Sequence, residues 1–362
     1  MTDHAAFFET IRAYPDDDAP RLVYADYLDE QGDADRAEFI RLQCRLTVGA
    51  DDESDRKALQ LREGELLDAY RVRWWRELPE LPGVTWESFE RGFVSTVRFE
   101  NADAYREHAA AVFGSAPILH VRFSGIIARD VPMLTAEDHL RNVLSLDFEN
   151  GNRIANGGAQ GLADCAFLNN LRSLKAPRNS IGPSGVRALA DSPHLKNLLE
   201  LYLDGNDIFA DGALALAGDG RERPLRKLSL GWTRIDGGSL GALFRAKTLA
   251  NLEWLYVSGN PLGIVGLDGV VSSATSANLE ALYAEQCHLS SQSIVAAANS
   301  VHLRKLKWLY LKHNDFHDLG ARAILESPYL QNIRELMLAE NPIRDETIRQ
   351  GLKERFGDRV LI

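Results

Sequence analysis

LEWLYVSGNPL, residues 252–262, reads as a short strand that ends in a sharp turn. Successive strand residues point to opposite faces, so Leu255 and Val257 share one face and Trp254 and Tyr256 the other. The same frame recurs as LRSLKAPRNSI from 171, LLELYLDGNDI from 198, LRKLSLGWTRI from 225, LEALYAEQCHL from 279, LKWLYLKHNDF from 306 and IRELMLAENPI from 333. Its central leucines are Leu174, Leu201, Leu228, Leu255, Leu282, Leu309 and Leu336, each 27 residues after the last. A fixed period of this length marks stacked units, none of which can bury its apolar face alone.

Parallel strands need a crossover, usually a helix. The second half of each unit supplies it, as GVRALA from 185, GALALA from 212, LGALF from 240 and GARAIL from 320. Two helix columns stay in phase. Gly185, Gly212, Ser239, Gly266, Ser293 and Gly320 are small and permit close approach. Leu189, Leu216, Leu243, Val270, Ala297 and Ile324, four residues later, fill the core. After each strand the backbone turns away from the ladder and leaves amides and carbonyls to be satisfied. Asn179, Asn206, Asn260, Asn314 and Asn341 stand there, each able to donate and accept. Thr233 and Cys287 interrupt this column, and a thiol bonds only weakly, so the ladder is expected to weaken near Cys287.

The pattern LxxLxLxxNxL resembles the leucine-rich repeat, and the period of 27 fits its ribonuclease-inhibitor-like class. That resemblance implies an α/β solenoid, a horseshoe with a parallel β-sheet on the concave face and helices on the convex face. Shorter copies upstream place Val97 and Phe99, Val121 and Phe123, and Leu146 and Phe148 in the same roles. About ten parallel strands are therefore expected. VTWESFERGFVSTVRF (84–99) predicts a hairpin around Arg91-Gly92 feeding the first repeat. DETIRQGLKERFGDRVLI predicts a closing helix over Glu346–Phe356, a stop at Gly357 and a short strand over 360–362.

Residues 1–46 lack the repeat and read as three helices. Phe7, Phe8 and Ile11 mark the first. Leu22, Val23, Tyr27 and Leu28 mark the second, with Pro20 in its first turn and Gly32 at its end. Asp33 is placed to cap the third, which carries Phe39, Ile40 and Leu46. DDESDRKALQLREGELLDAYRVRWW predicts a long helix ending near Leu78. Pro15-Asp16-Asp17, Arg21 to Leu28, Gly32-Asp33 and Arg36 to Gln43 resemble the repeat-companion domain found at the start of many bacterial repeat proteins. Tyr27 stands where that family usually has Trp, and the family brings no established activity. The organisation expected is a helical domain over 1–48, a connecting helix and linker over 49–83, the solenoid with its hairpin cap over 84–343, and a C-terminal cap over 344–362.

The slots between the leucines point away from the core and form columns across strands. One reads Glu200, Lys227, Trp254, Ala281, Trp308, Glu335; the next reads Tyr202, Ser229, Tyr256, Tyr283, Tyr310, Met337. Trp232 stands at a strand end. Rings of this size each bury about 150–250 Å², and Trp and Tyr dominate binding hot spots. Tyr202, Trp232, Trp254, Tyr256, Tyr283, Trp308 and Tyr310 are therefore the candidate binding residues, with Glu200, Asp204, Lys227, Glu285, Lys312 and Glu335 as a polar rim. The same rings could instead support one another as strand residues, lie under an N-terminal helix, or mediate self-association. The upstream slots Arg98, Glu100, His120, Arg122, Asp147, Glu149, Lys175 and Arg178 read as a solvated face.

The net charge of −11 argues against nucleic acid and anionic membrane as partners. The acidity is concentrated early, with 15 Asp/Glu against 7 Lys/Arg in residues 1–60. Cys44, Cys165 and Cys287 are too sparse for a disulfide framework or a zinc site. The start lacks a signal-peptide pattern and no stretch has the length of a membrane span, so a cytoplasmic location is expected. The sequence does not fix the oligomeric state, and a monomer is the default expectation. His313 and His317 cross from strand to turn and are not read as metal ligands. The aspartates of DEQGDAD lack an EF-hand's spacing. No phosphate loop or nucleophile elbow appears. The expectation is a non-enzymatic scaffold with no cofactor and no metal, binding a protein or peptide on its concave face. The alternatives are a regulator of a partner enzyme, such as a GTPase-activating-like protein using Arg178, Arg234 or Arg344, and a structural assembly module.

Overall fold

The computed structural model describes residues 4–49, 52–149, 151–218, 222–263 and 266–362. Residues 50 and 51, at the expected passage into the connecting helix, lie outside them. The chain divides into two compact units, residues 1–126 with 133–147, and residues 127–132 with 148–362.

The first unit opens with four helices, α1 (His4–Ala13), α2 (Ala19–Glu30), α3 (Ala34–Val48) and α4 (Glu53–Arg76). Pro20 sits in the first turn of α2, where a missing N–H is harmless. Gly32 ends α2 at φ +84°, and the Asp33 amide returns to the Leu28 carbonyl at 2.9 Å. The Asp52 carboxylate caps α4 by accepting from the Asp55 amide at 2.8 Å.

Two expectations are corrected here. The buried face of α2 is Arg21, Tyr24, Ala25 and Leu28, whereas Leu22 and Val23 are 38% and 57% exposed. Tyr24, Ala25 and Leu28 pack with Ile11, Ile40, Cys44 and Phe93, and that long-range cluster chooses the face. Arg21 tolerates burial at 2% exposure by donating Nη1 to the Asp17 carbonyl at 2.8 Å. Asp33 stands at the N-cap of α3 but makes no capping bond. Its carboxylate faces Arg73 at 3.3 Å instead.

The predicted hairpin forms from β1 (Val84–Trp86) and β2 (Phe89–Glu90) on one arm, and β3 (Phe93–Val94) and β4 (Thr96–Phe99) on the other. Its two tip residues, Arg91 and Gly92, have φ +48° and +89°, the primed turn that suits strand twist. Gly92 lies so close to α3 that a Cβ there would fall 2.3 Å from Ile40 Cγ1, and its amide donates to Gln43 Oε1 at 2.6 Å. β1 runs antiparallel along β4, covering an edge that would otherwise be unpaired, and β4 pairs in parallel with His120–Phe123. The upstream polar slots are more than a solvated face. Glu87 accepts from Arg98 at 2.8 Å and from Arg122 at 3.0 Å, and Glu90 meets His120 at 2.9 Å.

All ten expected strands form. In the second unit seven run parallel in chain order, with each central leucine opposite the next from Leu174 to Leu336. These leucines are buried, each contributing about 1.5–3 kcal/mol of hydrophobic stabilisation. The small helix column is needed sterically, since a Cβ on Gly212 would fall 2.3 Å from Ile208 Cγ2.

The asparagine ladder shows a division that the period of 27 does not reveal. Asn206, Asn260 and Asn314 each accept through Oδ1 from two amides of the preceding turn, those of Asn179 and Ile181, Thr233 and Ile235, and Cys287 and Leu289, at 2.9–3.2 Å. Each Nδ2 donates back to a preceding-repeat carbonyl, as Asn314 does to Ala284 at 2.8 Å. Where the next unit offers Thr233 or Cys287, that acceptor is missing. The Ile208 and Leu262 amides then turn to their own Asn206 and Asn260 carbonyls, both at 2.8 Å. Cys287 keeps part of the ladder, its thiol lying 3.3 Å from the Val257 carbonyl.

A second ladder runs along the helix ends, where Ser192, Thr248 and Ser273 donate to Ala163, Ala217 and Phe244 carbonyls at 2.6–2.7 Å. The closing helix Glu346–Phe356 is capped by Asp345. Arg355 donates to the Ile324, Leu325 and Ser327 carbonyls at the end of helix Asp318–Glu326. Val360–Leu361 adds a last parallel strand to Glu335–Met337.

Candidate functional site

Strand register sets both slot columns on the sheet face turned away from the leucines. Trp254 lies opposite Lys227 and Ala281, and Tyr283 lies opposite Tyr256 and Tyr310. The rings are partly exposed. Six of them form one contiguous set. Tyr202 touches Trp254 at 6.1 Å between ring centres, Trp254 stacks beside Tyr256 at 5.9 Å, and both meet Tyr283 at 5.2 and 5.7 Å. Tyr283 stacks on Tyr310 at 4.4 Å, and Trp232 joins through Tyr256 at 5.9 Å. Among the described residues Trp308 makes no ring contact of this kind. Ala281 separates it from Trp254 along the column, and cations flank it instead, Lys307 at 5.8 Å and Arg334 at 6.0 Å from its ring.

Two glycines that sequence reasoning did not single out seat this set. A Cβ on Gly231 would fall 2.3 Å from Tyr256 Cε1, and one on Gly259 would fall 2.3 Å from Trp232 Nε1. Their signal was in the sequence: each precedes the ladder position by one or two residues.

The expected rim is largely tied into the protein. Glu200 pairs with Lys227 at 2.7 Å, and Lys312 with Glu340 at 2.8 Å. Asp204 accepts from Ser229 Oγ at 2.6 Å and the Gly231 amide at 2.9 Å. Burial still holds its carboxyl above the usual range, against those two donors. Burial also raises the Glu285 carboxyl, with Lys312 opposing. The Tyr202 phenol is pushed up to about 12 by burial and by Glu200 and Asp204. Tyr310 is raised by burial and by Glu335. These phenols are neutral donors at physiological pH, suited to hydrogen bonding rather than proton transfer.

Arg234 pairs with Asp207 at 3.0 Å and lies over Phe209. The Arg344 amide donates to Asp318, and the Arg178 side chain packs on Gly205. The His313 ring meets Glu340 at 2.8 Å, while the His317 amide donates to Ser291. Among the described residues no three His, Cys, Asp or Glu gather as a metal site. Cys44, Cys165 and Cys287 are buried, and burial pushes the Cys44 and Cys287 thiols up to about 12, far from a reactive thiolate.

Parallel strands, return helices and bridging asparagines repeat every 27 residues, and the family model described as Leucine Rich repeat matches residues 194–217 and 302–325. The chain is a leucine-rich repeat protein. Among solved structures, this leucine-rich repeat protein is similar to an internalin from Listeria monocytogenes, at 17% identity and TM-score 0.46, over 72% of this chain and 69% of that one. It is also similar to a leucine-rich repeat protein from Leptospira interrogans, at 17% identity and TM-score 0.38, over 70% of this chain and 74% of that one. No curated protein matches it. Leucine-rich repeat proteins generally mediate protein–protein interaction, using the extended surface that stacking creates. Among the described residues no helix is long and apolar enough to cross a membrane.

Proposed function

We propose that this leucine-rich repeat protein is a non-enzymatic cytoplasmic scaffold of bacterial origin. It binds a protein or peptide through the ring-bearing, concave face of its sheet. The observation that carries the reading is the continuity of Tyr202, Trp232, Trp254, Tyr256, Tyr283 and Tyr310, all left partly or largely open to solvent. A soluble monomer rarely exposes a large contiguous apolar patch without a use for it. Rings also offer contact area at low conformational cost. Glu285 and Lys312 on adjacent turns provide the polar edge that fixes register. The helices of residues 1–48 are read as a repeat-companion domain, joined through residues 49–83 to the solenoid over 84–343 and its cap over 344–362.

Affinity capture with the full chain tests this. The variant Trp254→Ala/Tyr256→Ala/Tyr283→Ala is expected to fold with a native circular dichroism spectrum and to lose its partners. A control, Glu354→Ala/Lys353→Ala on the closing helix, keeps them. If the folded triple variant retains every partner, the ring face is not the binding surface.

A further inference from the structure

The polar rim of the six rings holds four acids, Glu200, Asp204, Glu285 and Glu335, against two cations, Lys227 and Lys312. Both cations are engaged, Lys227 with Glu200 at 2.7 Å and Lys312 with Glu340 at 2.8 Å. Asp204 is held by Ser229 and the Gly231 amide. Among the described residues Glu285 and Glu335 have no ion pair. Glu285 follows Tyr283 by two residues and is half-buried. The Tyr256 phenol is raised by burial first, then by Asp204 and Glu285, against a bond to Ser258. Two carboxylates therefore stand beside this one ring, and Glu335 meets the Tyr310 phenol.

The chain's own cations occupy the outer rings of the columns. Lys175 Nζ lies 5.5 Å from the Tyr202 ring centre, and Lys307 and Arg334 lie 5.8 and 6.0 Å from that of Trp308. Among the described residues no cation lies over Trp232, Trp254, Tyr256, Tyr283 or Tyr310. A ring face carries negative charge and attracts a cation placed above it. A carboxylate within reach adds a charge-assisted hydrogen bond. Arginine meets both demands, because its planar guanidinium stacks on a ring while its N–H groups reach a carboxylate. Lysine is a compact, strongly hydrated charge and gains less from the ring. The net charge of −11 steers a basic segment toward this chain and an acidic one away.

We propose that the ring face takes a basic peptide segment, one arginine of which lies over Tyr256 and Tyr283 and donates to Glu285. Those two ring centres are 5.7 Å apart, so one guanidinium spans both. The inference rests on the ring face being the binding surface, and it adds the chemistry of what that surface binds.

Fluorescence polarisation with the full chain tests it, at about 150 mM salt to screen the general field. The probe is a labelled peptide of alternating glycine and arginine. Matched peptides carry citrulline, which keeps the shape and removes the charge, or lysine, or glutamate. The arginine peptide is expected to saturate below about 1 mM, with citrulline at least about tenfold weaker and lysine several-fold weaker. Glu285→Gln keeps the side-chain volume and is expected to weaken the arginine peptide about fivefold or more. Tyr283→Leu is expected to weaken it several-fold. Glu354→Gln removes the same charge from the closing helix and leaves binding unchanged. The proposal is overturned if the arginine peptide does not saturate, or if citrulline or lysine binds as well. Tighter binding of the glutamate peptide also overturns it. So do equal losses in Glu285→Gln and Glu354→Gln, which would leave only the overall charge at work. If the arginine peptide fails while Trp254→Ala/Tyr256→Ala/Tyr283→Ala loses its captured partners, the arginine assignment alone falls. If that triple variant keeps every partner, the ring-face reading fails and this inference falls with it.

Discussion

The indole of Trp232 rests against Gly259, close enough that a Cβ at residue 259 would fall 2.3 Å from its Nε1. Gly259 is at φ +73°, and Trp232 itself is at φ +51° and 52% exposed. The ring is therefore held by the next turn while its outer side faces solvent. Gly259→Ala is expected to displace the indole and to destabilise the repeats by about 1–2 kcal/mol from the left-handed backbone alone. Near-ultraviolet circular dichroism and urea denaturation check this. An unchanged aromatic spectrum would mean that the glycine does not seat the ring.

Asn314 makes four short ladder bonds, two as acceptor from the Cys287 and Leu289 amides and two as donor to the Ala284 and Leu311 carbonyls. Asn314→Ala strands those buried groups and is expected to cost about 2–4 kcal/mol. Cys287→Ser places a better donor toward Val257 and is expected to stay within about 1 kcal/mol of the parent. Urea midpoints of the two variants give the contrast. Equal losses would refute the unequal roles assigned to the two positions.

Residues 178, 205, 232, 259, 286, 313 and 340 occupy one turn position, and all have positive φ. Only Gly205 and Gly259 are glycine. Gln286 is exposed at φ +54°. Gln286→Gly is expected to stabilise the protein by about 0.5–1 kcal/mol, as left-handed strain exceeds the added chain entropy. A lower thermal midpoint in this variant would show that the turn carries no such strain.

Gly92 joins a positive φ to direct backbone contact, since its added Cβ would lie 2.7 Å from Ile40 Cα. Backbone cannot step aside as a side-chain tip can. Gly92→Ala is expected to cost about 3 kcal/mol or more, combining overpacking with a left-handed alanine. Hydrogen exchange should show protection lost first at β2, β3 and the adjoining turn of α3. Native protection there would exclude the tight seating of the hairpin tip.

The sheet was legible because one set of contacts recurs. Each leucine meets the leucine of the next unit, so period and alternation alone predict the columns at Trp254 and Tyr283. Features set by a single long-range contact were not. The buried face of α2 follows Phe93, which arrives from the hairpin, so Leu22 and Val23 misled. Trp308 shared a column with Trp254, but Ala281 leaves a gap between them that register alone does not turn into distance. The local turns that switch at Thr233 and Cys287 were visible as substitutions, yet the backbone's answer, a bond to its own carbonyl, was not. Ser192 and Ser273 carry the second ladder, and neither belongs to a column that the sequence pattern marks.

Asp204 gives the ring face a pH dependence. Burial raises its carboxyl above the ordinary value, while Ser229, Gly231 and Arg178 pull the other way. A raised folded value means that the native state binds the proton more tightly than the unfolded chain does. The associated stability is complete below the unfolded value, near 4, and is lost as pH rises through the folded one. At neutral pH the ionised carboxylate is therefore a net penalty. Asp204→Asn keeps an oxygen to accept from Ser229 Oγ and the Gly231 amide, and removes the charge. The variant is expected to melt higher than the parent at pH 7, with the gap closing as both are acidified toward about pH 3. Thermal melts across that range decide it. A variant that melts lower at pH 7 and equal at acid pH would show that the Arg178 attraction, not desolvation, governs this carboxylate.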